Sequence, residues 1–156
     1  MRVMLAQLIY RGHFSVTAAL VHCLHMQRGK MTFTARDVLI VEDDVPIQRL
    51  LTTLMTHSGL SSEVAADGKS ALALLREHDY DAIVLDLLLP EVNGFDVLRQ
   101  IAATKPAMLE RTIVVTAASE RTYRNSPQVR HARTLLRKPF DLTRLQQEIL
   151  DCCARH

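Results

Sequence analysis

The chain of 156 residues is 48% hydrophobic and 23% charged, enough to bury a proper core, and its length suits one domain plus an extension. Its formal charge of +2 hides an asymmetry: residues 1–36 carry Arg2, Arg11, Arg28, Lys30 and Arg36 and no acid, so the remainder holds 14 basic residues against 17 acidic ones and sits near −3. That balance argues against a domain built mainly to hold nucleic acid, and the absence of any apolar run of about 18 residues excludes a membrane-spanning helix.

In chain order, residues 1–35 read as a basic, poorly ordered extension. The stretch "FSVTAALVHCL" loosely resembles a secretory signal or a transit peptide, but His22 and His25 sit in or next to it and no good small-residue cleavage site follows. Met31, just before the first patterned strand, offers an alternative start. Cys23, Cys152 and Cys153 are odd in number and lack metal-ligand spacing, so they read as reduced thiols in a reducing compartment, consistent with a cytoplasmic protein.

From residue 36 to about 154, short β-branched runs alternate with helical patterns, the signature of βαβ units and a parallel sheet. "DVLIV" (37–41) predicts a buried strand ending at Glu42, Asp43 and Asp44. Pro46 suits the first turn of the helix that follows, with Ile47, Leu50, Leu51, Leu54 and Met55 as its apolar stripe and Gly59 as its terminator. "SEVAA" is a weaker strand, leading to a short amphipathic helix marked by Ala71, Leu72, Leu74 and Leu75. The third strand, "AIVLD", precedes a loop bracketed by Pro90 and Gly94 and a helix in "FDVLRQIAATK". "TIVVTAAS" and "TLLRKPF" supply the fourth and fifth strands, and "DLTRLQQEILDCC" a closing helix. Pro127 is expected to interrupt or displace the fourth helix. Five strands joined by right-handed crossovers make an open, doubly wound α/β sheet, whose chemistry lies just beyond the carboxyl ends of its strands.

Those ends carry Glu42, Asp43 and Asp44, then Asp86, then Thr116, then Lys138. Each alone has an ordinary explanation: Asp44 as a helix cap, Lys138 as a solvated lysine, Thr116 as a hydroxyl bonded to backbone. Together they define a problem, because carboxylates gathered within about 4–6 Å oppose one another's ionisation unless a positive charge joins them. A hard divalent cation with oxygen ligands, Mg²⁺ retaining several waters, meets that need, and Lys138 adds a fixed ammonium. Metal, ammonium and hydroxyl are the groups that neutralise phosphoryl oxygens during in-line displacement.

The order "VLIVEDD", "VLDLLLPEVNG", "VVTAAS" and "LLRKPF" closely resembles the receiver domain of two-component response regulators, over about residues 37–153. The resemblance implies a flavodoxin-like sheet of order 2-1-3-4-5. It makes Asp86 the phosphoacceptor, held rigidly at the sheet rim by the apolar run before it. Asp43 then ligates the metal directly, Glu42 acts mostly through metal-bound water, Asp86 and the backbone carbonyl of Leu88 complete the protein ligands, and Thr116 and Lys138 bind phosphoryl oxygens. Pro139 shapes the turn after the fifth strand, with a cis Lys138-Pro139 bond as one means. The implied partners are a sensor histidine kinase or histidine phosphotransfer protein and a downstream protein, with a homodimer as one form. The domain assists its own phosphorylation and dephosphorylation and signals by shifting a conformational equilibrium rather than by metabolic turnover. Because the last predicted helix stops a few residues before His156, output is expected through protein contacts without an attached effector.

Some positions depart from the family's pattern. Leu135 stands three before Lys138, where an aromatic that rotates inward is common, and Leu88 and Ala118 stand where a side chain able to orient a hydrolytic water would sit. Residues 121–137 hold Arg121, Arg124, Arg130, Arg133 and Arg137, read either as a solvated surface or as an output face suited to an acidic partner or an unusual dimer. Two other functions compete. A haloacid-dehalogenase-like phosphohydrolase would place Asp-x-Asp after the first strand, where this chain has "EDD"; a phosphorylation-independent interaction module would not need the strand-end residues at all.

Overall fold

The computed structural model describes residues 38–154; the expectations for residues 1–35, including Cys23 and Met31, fall outside them. Strand β1 (Val38–Val41) is buried at every position, as is β3 (Ala82–Leu85), and such unbroken apolar runs belong to strands covered on both faces. With β2 (Ser62–Ala65), β4 (Thr112–Thr116) and β5 (Thr134–Arg137) they form one parallel sheet of order β2-β1-β3-β4-β5. This is the doubly wound order that the family resemblance implies.

Alternate residues of each strand feed opposite cores. Leu39, Val41, Ile83, Leu85 and Val114 pack with α2 (Gly68–Glu77) and α3 (Gly94–Thr104), through Ala71, Leu75, Val97, Leu98 and Ile101. Val38, Ile40, Val84, Ile113 and Val115 pack with α1 (Val45–His57) and α6 (Leu142–Cys153), through Leu51, Met55, Leu145 and Ile149. A period of two in the strands and 3.6 in the helices produces this division.

Helix starts follow capping chemistry. Asp44 accepts from the Ile47 N–H at 2.9 Å, so it caps α1, with Pro46 in the first turn. Asp67 caps α2 by accepting from the Ser70 N–H, Asn93 caps α3 through the Asp96 N–H, and Asp141 caps α6 through the N–H groups of Thr143 and Arg144. The amide and hydroxyl of Ser70 hold the Asp67 carboxyl below its ordinary value. Gly59 ends α1 at φ +73°, the left-handed conformation that a residue without Cβ adopts freely.

Two details differ from the sequence reading. Leu50 is 44% exposed and does not belong to the apolar stripe of α1. A 3-10 helix at Pro106–Arg111 precedes β4 and buries Met108 and Leu109. As expected, Pro127 interrupts the fourth helical region, leaving two short pieces, α4 (Glu120–Tyr123) and α5 (Pro127–His131), with Pro127 opening the second. Among the described residues, no helix is long and apolar enough to cross a membrane.

Candidate functional site

Sheet register assembles the site. Val41 pairs with Leu85, so the next residues, Glu42 and Asp86, emerge side by side from the two central strands. The Asp86 N–H donates to the Val41 carbonyl at 3.0 Å and the Glu42 N–H to the Ala65 carbonyl at 3.1 Å, carrying the ladder one residue beyond the strands. Thr116 pairs with Arg137, and the Lys138 N–H donates to the Thr116 carbonyl at 2.9 Å, which brings the fifth strand end to the same rim.

There the Lys138 ammonium donates to Asp86 Oδ2 at 2.6 Å and to Glu42 Oε2 and Oε1 at 2.7 and 3.0 Å. Both acids are sequestered, Glu42 at 2% and Asp86 at 4% exposure. Asp86 Oδ1 accepts from the Leu88 N–H at 2.9 Å, so each carboxylate oxygen has a fixed donor. Burial pushes the Glu42 carboxyl above its ordinary 4.5 even though the Lys138 ammonium pulls the other way, and the charge of Asp86 adds to the rise. For Lys138, burial alone would lower the ammonium below its ordinary 10.5, but hydrogen bonds to Asp86 and Glu42 outweigh it and the net displacement is upward.

Carboxylate oxygens of Glu42, Asp43 and Asp86 lie within 4.8 Å of one another. Glu42 and Asp86 are buried, while Asp43 is exposed at the mouth. Three carboxylates against one ammonium leave a negative excess. An all-oxygen donor set with one solvent-facing member suits a hard cation that keeps part of its water shell, so the residues present fit Mg²⁺. Leu88, whose N–H holds Asp86, follows in the same turn and is 50% exposed. Thr116 is fully buried, and its Oγ1 accepts from the Ala118 N–H at 3.1 Å. The Lys138-Pro139 bond is cis. Leu135 lies half-buried against the first core cluster, on β5, with β4 between it and the strand that carries Asp86.

Two contributors escaped the sequence reading. Gln48, one turn into α1, donates its amide to the Glu42 carbonyl at 2.7 Å and ties the acidic turn to the helix. The sequence marks Gly94 as closing a loop and as part of the motif after the third strand, without showing what it packs against. An added Cβ there would lie 2.1 Å from the Asp86 carbonyl oxygen and 2.6 Å from the Leu87 Cα, so α3 begins directly against the backbone of the phosphoacceptor candidate. The glycine itself was the available signal, but only the fold shows what approaches it.

The fold and this rim together define a receiver-type module, and comparison with known proteins agrees. The family model of the response regulator receiver domain matches residues 38–150. The response regulator ArlR of Staphylococcus aureus is 34% identical over 113 residues, covering 72% of this chain and 50% of the relative; ArlR of Staphylococcus epidermidis is 33% identical over 114 residues with the same coverage. The chain thus spans about half the length of the curated relatives it matches. Among solved structures, the receiver domain of Francisella response regulator 1452 superposes with a TM-score of 0.66 at 27% identity, covering 77% of this chain and 98% of that one. The receiver domain of a sensor histidine kinase from Pseudomonas aeruginosa PAO1, solved with a magnesium ion coordinated in its active site cleft, gives a TM-score of 0.67 at 26% identity, with coverages of 76% and 98%. This chain belongs to the response regulator receiver domain family.

Proposed function

We propose that Asp86 accepts a phosphoryl group from a phosphohistidine of a sensor kinase or phosphotransfer protein, in a Mg²⁺-dependent reaction within the cytoplasm. The observation that carries the reading is the Lys138 ammonium bridging the buried carboxylates of Glu42 and Asp86 at 2.6–2.7 Å, beside the exposed Asp43. Asp43, Glu42, Asp86 and the Leu88 carbonyl would hold the cation, which supplies charge neutralisation between two approaching anions. The carboxylate of Asp86 attacks phosphorus, the phosphorus–nitrogen bond to the donor histidine breaks, and an aspartyl phosphate forms. As Asp86 becomes an acyl phosphate, Lys138 exchanges a carboxylate oxygen for a phosphoryl oxygen. Thr116 uses an oxygen lone pair for the Ala118 N–H and directs its proton to a second phosphoryl oxygen. These contacts exist in one of two conformations only, so phosphorylation shifts their populations, and the domain works as a switch rather than a turnover catalyst.

Intact mass spectrometry after incubation with Mg²⁺ and acetyl phosphate tests the assignment. One added phosphoryl group is expected on the wild type and none on Asp86→Asn; equal labelling of both would overturn it. No observation favours a phosphohydrolase, since the carboxylate of Asp44 is committed to capping α1.

The mouth of the site also bears on the lifetime of the product. Leu88, two residues after Asp86, is half-exposed and its side chain has no group to orient an attacking water. Leu88→Asn is expected to speed loss of the phosphoryl group several-fold, read as phosphate release after removal of the donor. An unchanged rate would show that water is positioned elsewhere.

A further inference from the structure

Strand β2 lies at an edge of the sheet: β1 flanks it on one side and, among the described residues, no strand flanks it on the other. The Val38 N–H donates to the Ser61 carbonyl and the Glu42 N–H to the Ala65 carbonyl. In this parallel ladder Glu63 therefore turns its backbone groups to β1, while Ser62 and Val64 turn their N–H and C=O groups outward. Edge strands are commonly blunted by charge or proline, as β5 is by its last residue, Arg137, and the nearby Pro139. The outward positions of β2 carry neither. Val64 is 38% exposed, and its register with Ile40 turns its side chain to the α1 face of the sheet. There Val64 joins Val45, Gln48, Arg49, Thr52 and Thr53 of α1 in lining an open groove of ≈ 410 Å³. No acid lines it, and α1 contains none. Arg49 is exposed, and among the described residues no ion pair holds it.

We infer that β2 and this groove receive an extended segment of a partner protein as an added strand, with a β-branched side chain seated between Val45 and Val64 and a carboxylate on Arg49. The outward backbone groups of Ser62 and Val64 pair with any extended chain, so affinity comes from main-chain hydrogen bonds. The groove and the guanidinium then choose the sequence, one apolar and one acidic side chain on the same face of the added strand. A second copy fits less well. Its backbone could pair antiparallel about Val64, but the two-fold axis would bring the two grooves together and set Arg49 against its own equivalent, with no carboxylate on either α1 to separate them. A compact apolar molecule fits less well too, because it would fill the groove without using the strand edge. The inference goes beyond phosphoryl transfer and does not depend on it.

Amide hydrogen exchange followed by NMR on the full chain, with a peptide alternating threonine and valine and ending in two glutamates, tests it. Saturating peptide is expected to slow exchange at Ser62 and Val64 about tenfold or more and to leave the β5 amides unchanged. Val64→Lys puts a charge on the edge and is expected to weaken binding about tenfold, whereas Val64→Thr keeps the β-branch and should stay within about threefold of wild type. Arg49→Gln removes one exposed pair and is expected to weaken binding about threefold. These side chains are exposed, so melting temperatures should stay within a degree or two of wild type. A peptide N-methylated at alternate positions, which keeps every side chain but loses the donors facing β2, should give no protection. Unslowed exchange at Val64 with the parent peptide, or equal binding of the N-methylated one, would overturn the inference. So would tighter binding of a peptide ending in two lysines, or a dimer in sedimentation that Val64→Lys dissolves.

Discussion

Replacing Lys138 with methionine is expected to destabilise the domain by roughly 2–4 kcal/mol near pH 7, because it strips from two buried carboxylates the one ammonium that pairs with them among the described residues. Methionine fills a similar volume, so the loss reports charge rather than packing. The effect must depend on pH in a definite way. In the wild type, Glu42 already sits above 4.5 through burial. Without Lys138, its main lowering influence is gone and the folded value climbs further. A carboxyl raised in the folded state supports stability fully below its unfolded value and loses that support as pH rises through the folded value. The gap between the two proteins should therefore be small near pH 4 and open above 4.5. At the alkaline end, the contribution of Lys138 in the wild type is complete below 10.5 and fades as pH passes the raised folded value, so the gap closes again there. Thermal melts in EDTA across this range measure it. Mg²⁺ should then raise both melting temperatures by binding the folded state alone, and the variant more, because the cation takes over the neutralisation that the ammonium provided. Parallel melting curves at pH 4 and pH 7 would show that Lys138 does not neutralise these acids.

The same pair shows what the sequence could and could not reveal. Strand ends bearing Glu42, Asp86, Thr116 and Lys138 were legible because a parallel sheet must deliver its carboxyl ends to one rim, and unbroken apolar runs mark β1 and β3 as buried on both faces. Asp44 was legible as a cap because capping depends only on residues three apart. Lys138 was legible as the ammonium that joins these carboxylates, but the atoms it bridges, Glu42 across 96 positions and Asp86, are fixed by strand register rather than by any local pattern. Arg133 likewise looked like one of five solvated arginines, and only the packing of α6 against the segment leading into β5 shows that it is held by Glu148 and Asp151. Leu50 failed for the opposite reason: helical periodicity places it at the border of the apolar stripe, and the border is decided by how far the neighbouring surface extends.

Gly94→Ala is expected to damage the site more than its modest chemistry suggests. The added methyl meets backbone, the Asp86 carbonyl oxygen at 2.1 Å and the Leu87 Cα at 2.6 Å, and neither can swing aside as a side chain would. The Gly94 N–H also donates to the Leu87 carbonyl at 3.1 Å, so the start of α3 and the end of β3 are bound as one unit. Relieving the overlap requires α3 to retreat or the turn after β3 to shift, at a cost of about 2–3 kcal/mol. Either movement displaces the Asp86 carboxylate from Lys138 and from the oxygens of Glu42 and Asp43, and positioning errors near 1 Å cost about a hundredfold in reactions that rely on alignment. Labelling by acetyl phosphate should thus slow at least tenfold although every reactive side chain remains. Gly68→Ala is the informative comparison. Its methyl would meet the Val92 carbonyl oxygen at the same 2.1 Å, but in the loop beyond the turn rather than at Asp86 itself. Similar losses of melting temperature with a markedly smaller loss of labelling for Gly68→Ala would place the effect in the alignment of Asp86. Equal losses of both would assign it to general destabilisation, and the close approach of Gly94 would then matter to the fold alone.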